Sequence, residues 1–398
     1  MTELAVPGTL PCQRQQVTLS RFLGSFAALA VVAIGLRTGV YAWLALPYGG
    51  LVSAMCQFDC GWYERIAVAG YGANAEWADF GSYPHWAFFP LYPLVVSLLH
   101  RLLAISGLAI SELAMGMGVS AAALCGFTII GARYLRETRP ALQPWLWLIV
   151  ALLFPYGFFF SAVYTEALFA MLSTGALLAL QQRRFLLAAG MSALASATRP
   201  TGILLTPILA INRLAAFWRG RHRHDRLALL GETLLPIAVA PLGLFLYMLY
   251  QYSQVGDALA FSHVQVLWQR QWGDPFMHIW DGLRMWDFAV LPANPSSAYS
   301  ASFALLGLAG AIWLLLRRRS AEAAFLAGCV LLPVASGLDS LPRYVAANPV
   351  FLFVVYDCAT VLLGRSPKPV WLVALAAALG ILQMVLLIGW LHGAGGIF

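Results

Sequence analysis

FDCGWYERIAVAGYGANAEWADFGSYPHWAFFPLYP, residues 58–93, comes just after an apolar run long enough to cross a bilayer, and the junction decides the fold. Four acids (Asp59, Glu64, Glu76 and Asp79) stand among aromatics with one base, Arg65, in a chain that is only 10% charged. A polar loop hung from a rigid apolar scaffold is where binding and catalytic groups concentrate.

Working outward, the 398 residues are 61% hydrophobic and the mean hydropathy is +0.76. Apolar runs recur along nearly the whole length, which predicts an all-α polytopic membrane protein forming a single integral-membrane domain over residues 1–398. The runs are continuously apolar and rich in Leu, Ala and Gly, so they do not fit the alternation of a membrane barrel. A net charge of +7 would suggest nucleic acid in a soluble protein, but the bases sit in short loops between spans, a topology signal, and no nucleic-acid partner is expected. Of six cysteines only Cys56 and Cys60 are close. Both read as loop packing, with a disulfide as the second option, and there is no zinc pattern. The first twenty residues lack an apolar core with a cleavage site, so the first span is expected to stay as an anchor.

That span is expected over Arg21–Leu46, with Arg14 and Arg21 holding its start inside and residues 47–108 forming a first outer loop. The apolar piece Phe88–Ala104 is expected to lie along the outer surface, because a crossing there would put Arg133, Arg136 and Arg139 outside. Further spans are expected near Ala109–Tyr134, Trp145–Pro155, Thr165–Gln181, Arg184–Ala197, Gly202–Trp218 and Leu227–Tyr250. A second outer loop, 251–297, precedes Ala298–Leu316, Ala321–Ala335, Tyr344–Leu363 and Val370–Leu391, for about 11 spans in all. All bases then fall inside except Arg37, Arg65, Arg101, Arg199, Arg270, Arg284 and Arg343.

Two acids and two of these bases suggest chemistry. Asp59 lies where the outer loop meets the membrane, partly desolvated yet reachable, which suits a general base; the plain alternative is a cap for the helix that follows. Glu166, in FPYGFFFSAVYTEALF, is costly at an apolar helix start unless it is paired or used, although the helix dipole alone would favour it. Arg199 in SATRPTG and Arg343 in SGLDSLPRY are span-end guanidiniums on the side with few bases. They suit a phosphate, and the alternative is snorkelling to lipid head groups. His263, Gln265, Trp268, Arg270 and Asp274 could line a sugar or lipid site, with membrane anchoring the preferred reading for Trp268 and Trp272. Nothing asks for a metal ion or another cofactor.

FDCGWYERIAVAGY, AFFPLYPL, FFFSAVYTEALFAML, ATRPTGILL, VGDALAFSHVQVLWQR and DSLPRYVAANPVFL occur in this order over Phe58–Phe353. In that order they resemble the PIG-V type mannosyltransferases, the GPI mannosyltransferase 2 family of the GT-C glycosyltransferase superfamily. The resemblance matches Asp59 to the acid of the family's first outer loop, Glu166 to the YTE acid, and Arg343 to the RY segment. Tyr63, Glu64, Phe89, Tyr164 and Tyr344 fall in the same segments and, with His85 just before AFFPLYPL, join Gln265 and Arg270 as candidate substrate-binding residues. The first loop departs from the family, which more often has a Trp before the Asp and an aromatic or His-containing pair after it.

The resemblance implies a GT-C type helical bundle with its site on the outer face, using a polyprenyl-phosphate sugar donor, with mannose the expected hexose. The short loops are those of a bacterial homologue in the cytoplasmic (inner) membrane, facing the periplasm, with a lipid or glycan acceptor. The expected mechanism is an inverting transfer with Asp59 as base and Arg343 and Arg199 on the leaving phosphate. The competing readings are a lipid or glycan transporter or flippase, and a non-catalytic member of a surface-glycan assembly complex.

Overall fold

The computed structural model describes residues 10–72, 84–139, 142–220, 226–285, 297–364 and 366–392; Glu76 and Asp79 of the acidic loop lie outside these, as do Arg221, Arg223 and Arg365. Among the described residues the chain is all helical, with no strand. Five of the described helices are long and apolar enough to cross a bilayer. They are the Leu23–Leu44 part of α1 (Leu10–Leu44), α4 (Glu112–Thr138), the Pro200–Trp218 stretch ending in α8 (Leu205–Gly220), α12 (Ser297–Leu316) and α16 (Pro369–Leu391). A sixth forms if α9 (Arg226–Val239) and α10 (Leu242–Val255) are one span, bent by 50° at a break containing Pro241, which has no N–H to continue the ladder. By length and composition this is an integral membrane protein.

The other expected spans are shorter helices: α5 (Pro144–Leu153), α6 (Glu166–Gln181), α7 (Phe185–Thr198), α13 (Ser320–Val334) and α15 (Pro349–Leu363). Their shortness has a local cause in α5. Its 10 residues rise only about 15 Å, and the chain then runs irregularly from Phe154 to Thr165 around Pro155 and Gly157 before α6 begins. Away from water, the carbonyls freed by that break need donors. Arg37 of α1 donates from Nη1 to Leu152 O (2.8 Å) and Gly157 O (3.2 Å), and from Nη2 to Ser161 Oγ (2.5 Å). Gln383 of α16 donates to Leu152 O (3.1 Å) and Phe154 O (2.6 Å), and its Oε1 accepts from Tyr41 (2.6 Å). The intramembrane arginine is therefore a cap for broken backbone. A Cβ on Gly157 would meet the Gln383 amide nitrogen at 2.6 Å and Leu152 O at 3.2 Å, so a side chain there would push the clamp aside.

The two expected outer loops hold α2 (Cys60–Ala69), α3 (Leu91–Ile105) and α11 (Pro275–Arg284). The expected surface helix is α3; His100 near its end lies 2.9 Å from Ile110 O and 3.4 Å from Glu112, folding it back onto the start of α4. Two expectations are corrected. Cys56 and Cys60 are joined in a disulfide instead of packing as free thiols, because the turn between them brings their Cα atoms to 5.1 Å. The span expected from Tyr344 begins only at Pro349: Asn348 accepts from Val350 N (2.9 Å) and Phe351 N (3.3 Å) as an N-cap, leaving Tyr344 in a separate short helix, α14 (Leu341–Ala346).

Candidate active site

Asp59 is the residue before α2, but it does not cap that helix with its side chain. Its Oδ2 instead meets both terminal nitrogens of Arg343 at 3.3 Å. Glu166 opens α6 with its side chain 1% exposed, and its Oε1 lies 3.2 Å from Arg199 Nη1 and 3.3 Å from Arg343 Nε. Four residues distant in sequence thus alternate in sign, Asp59–Arg343–Glu166–Arg199. The contacts are loose: charge-assisted bonds usually close to about 2.8 Å, whereas neither carboxylate oxygen of Glu166 accepts a well-directed hydrogen bond among the described residues.

Aromatic rings hold the guanidiniums in place. Arg343 lies over Phe159, Tyr164 and Tyr344 at 5.3, 5.2 and 5.0 Å, and Arg199 lies over Tyr344 at 4.8 Å. Such rings attract cations by their quadrupole, and the Tyr344 hydroxyl also accepts from Arg343 Nη2 at 3.3 Å. Tyr164 also donates to Gln57 O (2.8 Å), tying the Glu166 segment to the Asp59 loop.

These groups line a cavity of about 850 Å³. Phe88, Phe89, Phe169, Ile203, Phe261 and Trp268 supply apolar surface to it. Arg270 adds a third guanidinium, from the segment between α10 and α11. It is held by long contacts, Nη1 to Gln265 Oε1 (3.4 Å) and Nη2 to Asp339 O (3.3 Å), with the Asp339 carboxylate 4.0 Å from Nε and 65% exposed. Its charge is the least neutralised of the three. Burial raises the Tyr344 phenol, but Arg270, Arg343 and Arg199 outweigh burial and bring it down to about 8. A field that favours a phenolate favours any anion placed there.

The cavity brings together Asp59, Glu166, Arg199 and Arg343 with Tyr63, Phe89, Tyr164, Gln265, Arg270 and Tyr344. Glu64 and His85 do not line it. Glu64 is half-buried on α2. His85 is fully buried between Tyr71 and Trp86, and burial pushes its imidazole down to about 4, so it is neutral at pH 7. Trp268 stands edge-on to Phe88 in the cavity wall, and Trp272 also lines it. His263 is at the lining, 2.7 Å from Asp257, whereas Asp274 caps α11 by accepting from Phe276 N and Met277 N. Sequence reading missed Thr198, Ser336, Asp339 and Asn348, which line the same space. Asp339 shares the SGLDSLPRY segment with Arg343 and could have been read from it; the other three carry no sequence signal. Among the described residues no group of three or more His, Cys, Asp or Glu is placed to hold a metal ion.

No protein-family model and no curated protein matches the chain. Among solved structures it is similar to the archaeal oligosaccharyltransferase AglB from Archaeoglobus fulgidus in complex with an inhibitory peptide and a dolichol-phosphate, at 13% identity and a TM-score of 0.41, over 94% of this chain and 56% of that one. It is also similar to the Archaeoglobus fulgidus oligosaccharyltransferase in complex with Zn and sulfate, at 12% identity and a TM-score of 0.41, over 94% of this chain and 53% of that one. The chain spans about half the length of these proteins, and a likeness of this size assigns no residue a role.

Proposed function

We propose that this protein is a membrane glycosyltransferase of the GT-C type that moves a hexose, mannose in our reading, from a polyprenyl phosphate to a lipid or glycan acceptor. The observation that carries the reading is the alternation of two carboxylates with two guanidiniums in the lining of one large cavity, with Arg270 as an additional cation in the same lining.

In the proposed reaction the acceptor hydroxyl gives its proton to Asp59 as its oxygen attacks the anomeric carbon from the side opposite the phosphate. The carbon–oxygen bond to the phosphate breaks, and the sugar is transferred with inversion. Charge grows on the leaving phosphate during the step, so Arg343, Arg199 and Arg270 stabilise the transition state more than the bound donor. The loose geometry has a use here. A phosphate arriving at Arg343 competes with Asp59 for the same guanidinium, and the long 3.3 Å contact is weak enough to exchange, so donor binding releases the base. Tyr63, Phe89 and Gln265 face the sugar and acceptor in this arrangement. A disulfide beside Asp59 also supports a site on the oxidising, outer side of the membrane, the periplasmic face of a bacterial inner membrane in this reading.

Purified protein supplied with radiolabelled polyprenyl-phosphate mannose and a membrane extract should pass label to a lipid or glycan product. Donor left intact after prolonged incubation, or donor recovered unchanged on the far side of a proteoliposome, overturns the reading.

A further inference from the structure

We infer that the Cys56–Cys60 disulfide positions Asp59, so that the redox state of this one bond sets the rate of transfer. The inference rests on the reading of Asp59 as the base. The bond closes a ring of five residues, CQFDC, in which Asp59 is the last residue before Cys60.

Three observations make the ring a positioning device. First, the Asp59 carboxylate takes no support from the helix it precedes; its only described partner is Arg343 at 3.3 Å, so the backbone must aim it. Second, that backbone is held in an unfavourable shape. Phe58 has φ +51°, in the left-handed region where a residue with a Cβ meets its own carbonyl, and its ring is left half exposed. Third, the ring is docked at the site: Tyr164 donates to Gln57 O (2.8 Å) and Val163 N to Met55 O (3.4 Å), joining it to the segment that ends at Glu166. The disulfide keeps the two ends of the strained turn together. With the bond open, Phe58 can relax to negative φ, and the carboxylate is no longer aimed from the side that faces Arg343.

The switching step is a thiol–disulfide exchange. A dithiol attacks through its thiolate, most readily at Cys56, which is half-buried where Cys60 is fully buried. Two electrons and two protons pass to the protein, giving two cysteine thiols, and the dithiol leaves as its own disulfide. Reoxidation reverses this.

The test measures turnover and donor KM in purified full-length protein. Denatured protein should show two fewer thiols than its six cysteines, and all six after reduction. Dithiothreitol added to folded wild type should lower kcat by about 10- to 100-fold, the scale of a misplaced reacting group, with donor KM not raised, because Arg343, Arg199 and Arg270 stand on other elements and the phosphate no longer competes with Asp59 for Arg343. Activity should return on reoxidation. The Cys56→Ser/Cys60→Ser protein should show the same low kcat and ignore dithiothreitol; should it fail to fold, reduction of folded wild type carries the test alone. In an Asp59→Asn background, reduction should have no further effect. Six free thiols before reduction, or full turnover after it, overturns the inference while leaving an inactive Asp59→Asn protein as support for the base. An Asp59→Asn protein with wild-type turnover removes the base assignment and this inference together.

Discussion

The molecule buries two clusters of two acids and two bases, and they differ in everything except their charge sum. The inner cluster, so called for the side on which loop charge is expected to place it, joins Arg139 at the end of α4, Arg319 and Glu322 at the start of α13, and Asp357 in α15. Arg139 donates both terminal nitrogens to Glu322 at 2.8 and 2.9 Å and turns Nε and Nη2 to Asp357 at 3.2 and 3.0 Å. Tyr134 adds a bond to Glu322 at 2.7 Å, and Arg319 reaches Glu322 and the Thr138 carbonyl. The outer cluster, beyond the far end of α13, has no ion contact shorter than 3.2 Å among the described residues, and it opens on a cavity. A closed network with every partner satisfied resists exchange; a loose one with a cavity in front of it has room for a ligand's charges. The inner cluster fastens three helices. The outer one is kept unfinished.

The sharpest break between the two is expected from Asp59→Asn, which keeps shape and removes the base. Turnover should fall by ~10²–10⁴, while the thermal unfolding midpoint stays put. Arg139→Met should do the opposite. It leaves Glu322 and Asp357 buried without their shared cation and should destabilise the protein by about 3–5 kcal/mol, read by unfolding in detergent, with turnover per folded molecule unchanged. If Arg139→Met lost activity while remaining stable, the inner cluster would be part of the chemistry and the contrast would collapse.

Arg343 sharpens the outer side. Arg343→Lys keeps the charge and loses the planar fork that spans Asp59 and Glu166, so its kcat should fall between wild type and Arg343→Ala, with the Ala variant lower by roughly another tenfold. Equal turnover in all three at saturating donor would assign Arg343 to structure and leave Arg199 and Arg270 as the phosphate groups. The smallest effect concerns pH. Tyr344 ionises near 8, and its phenolate would occupy the guanidiniums that the donor phosphate needs. Donor KM should therefore rise above pH 8, by roughly tenfold at pH 9 if only the neutral phenol admits phosphate; Tyr344→Phe should flatten the rise. A rise that persists in the Phe variant would place the titration elsewhere.

The all-α class and the positions of the apolar helices were readable from the chain alone, because hydropathy acts locally and lipid allows little else, but of the about 11 spans expected only five described helices, or six with the bent pair, are long enough to cross. Asp59, Glu166, Arg199 and Arg343 were also legible one at a time, since each is an ionised residue where an apolar chain has no routine need for one. Their mutual arrangement was not legible. Asp59 and Arg343 are 284 positions apart, and only the packing of α2, α6, α7 and α14 around one cavity makes them neighbours. The same holds for Arg37, whose partners are carbonyls that exist as free acceptors only once α5 has broken, and for Arg139, which loop charge assigns to the inner surface but tertiary contacts bury. Cys56 and Cys60 show the limit at short range. Their spacing permits a bond or two free thiols, and the bond shows only in the fold, where the two Cα atoms lie 5.1 Å apart in a turn that Tyr164 docks.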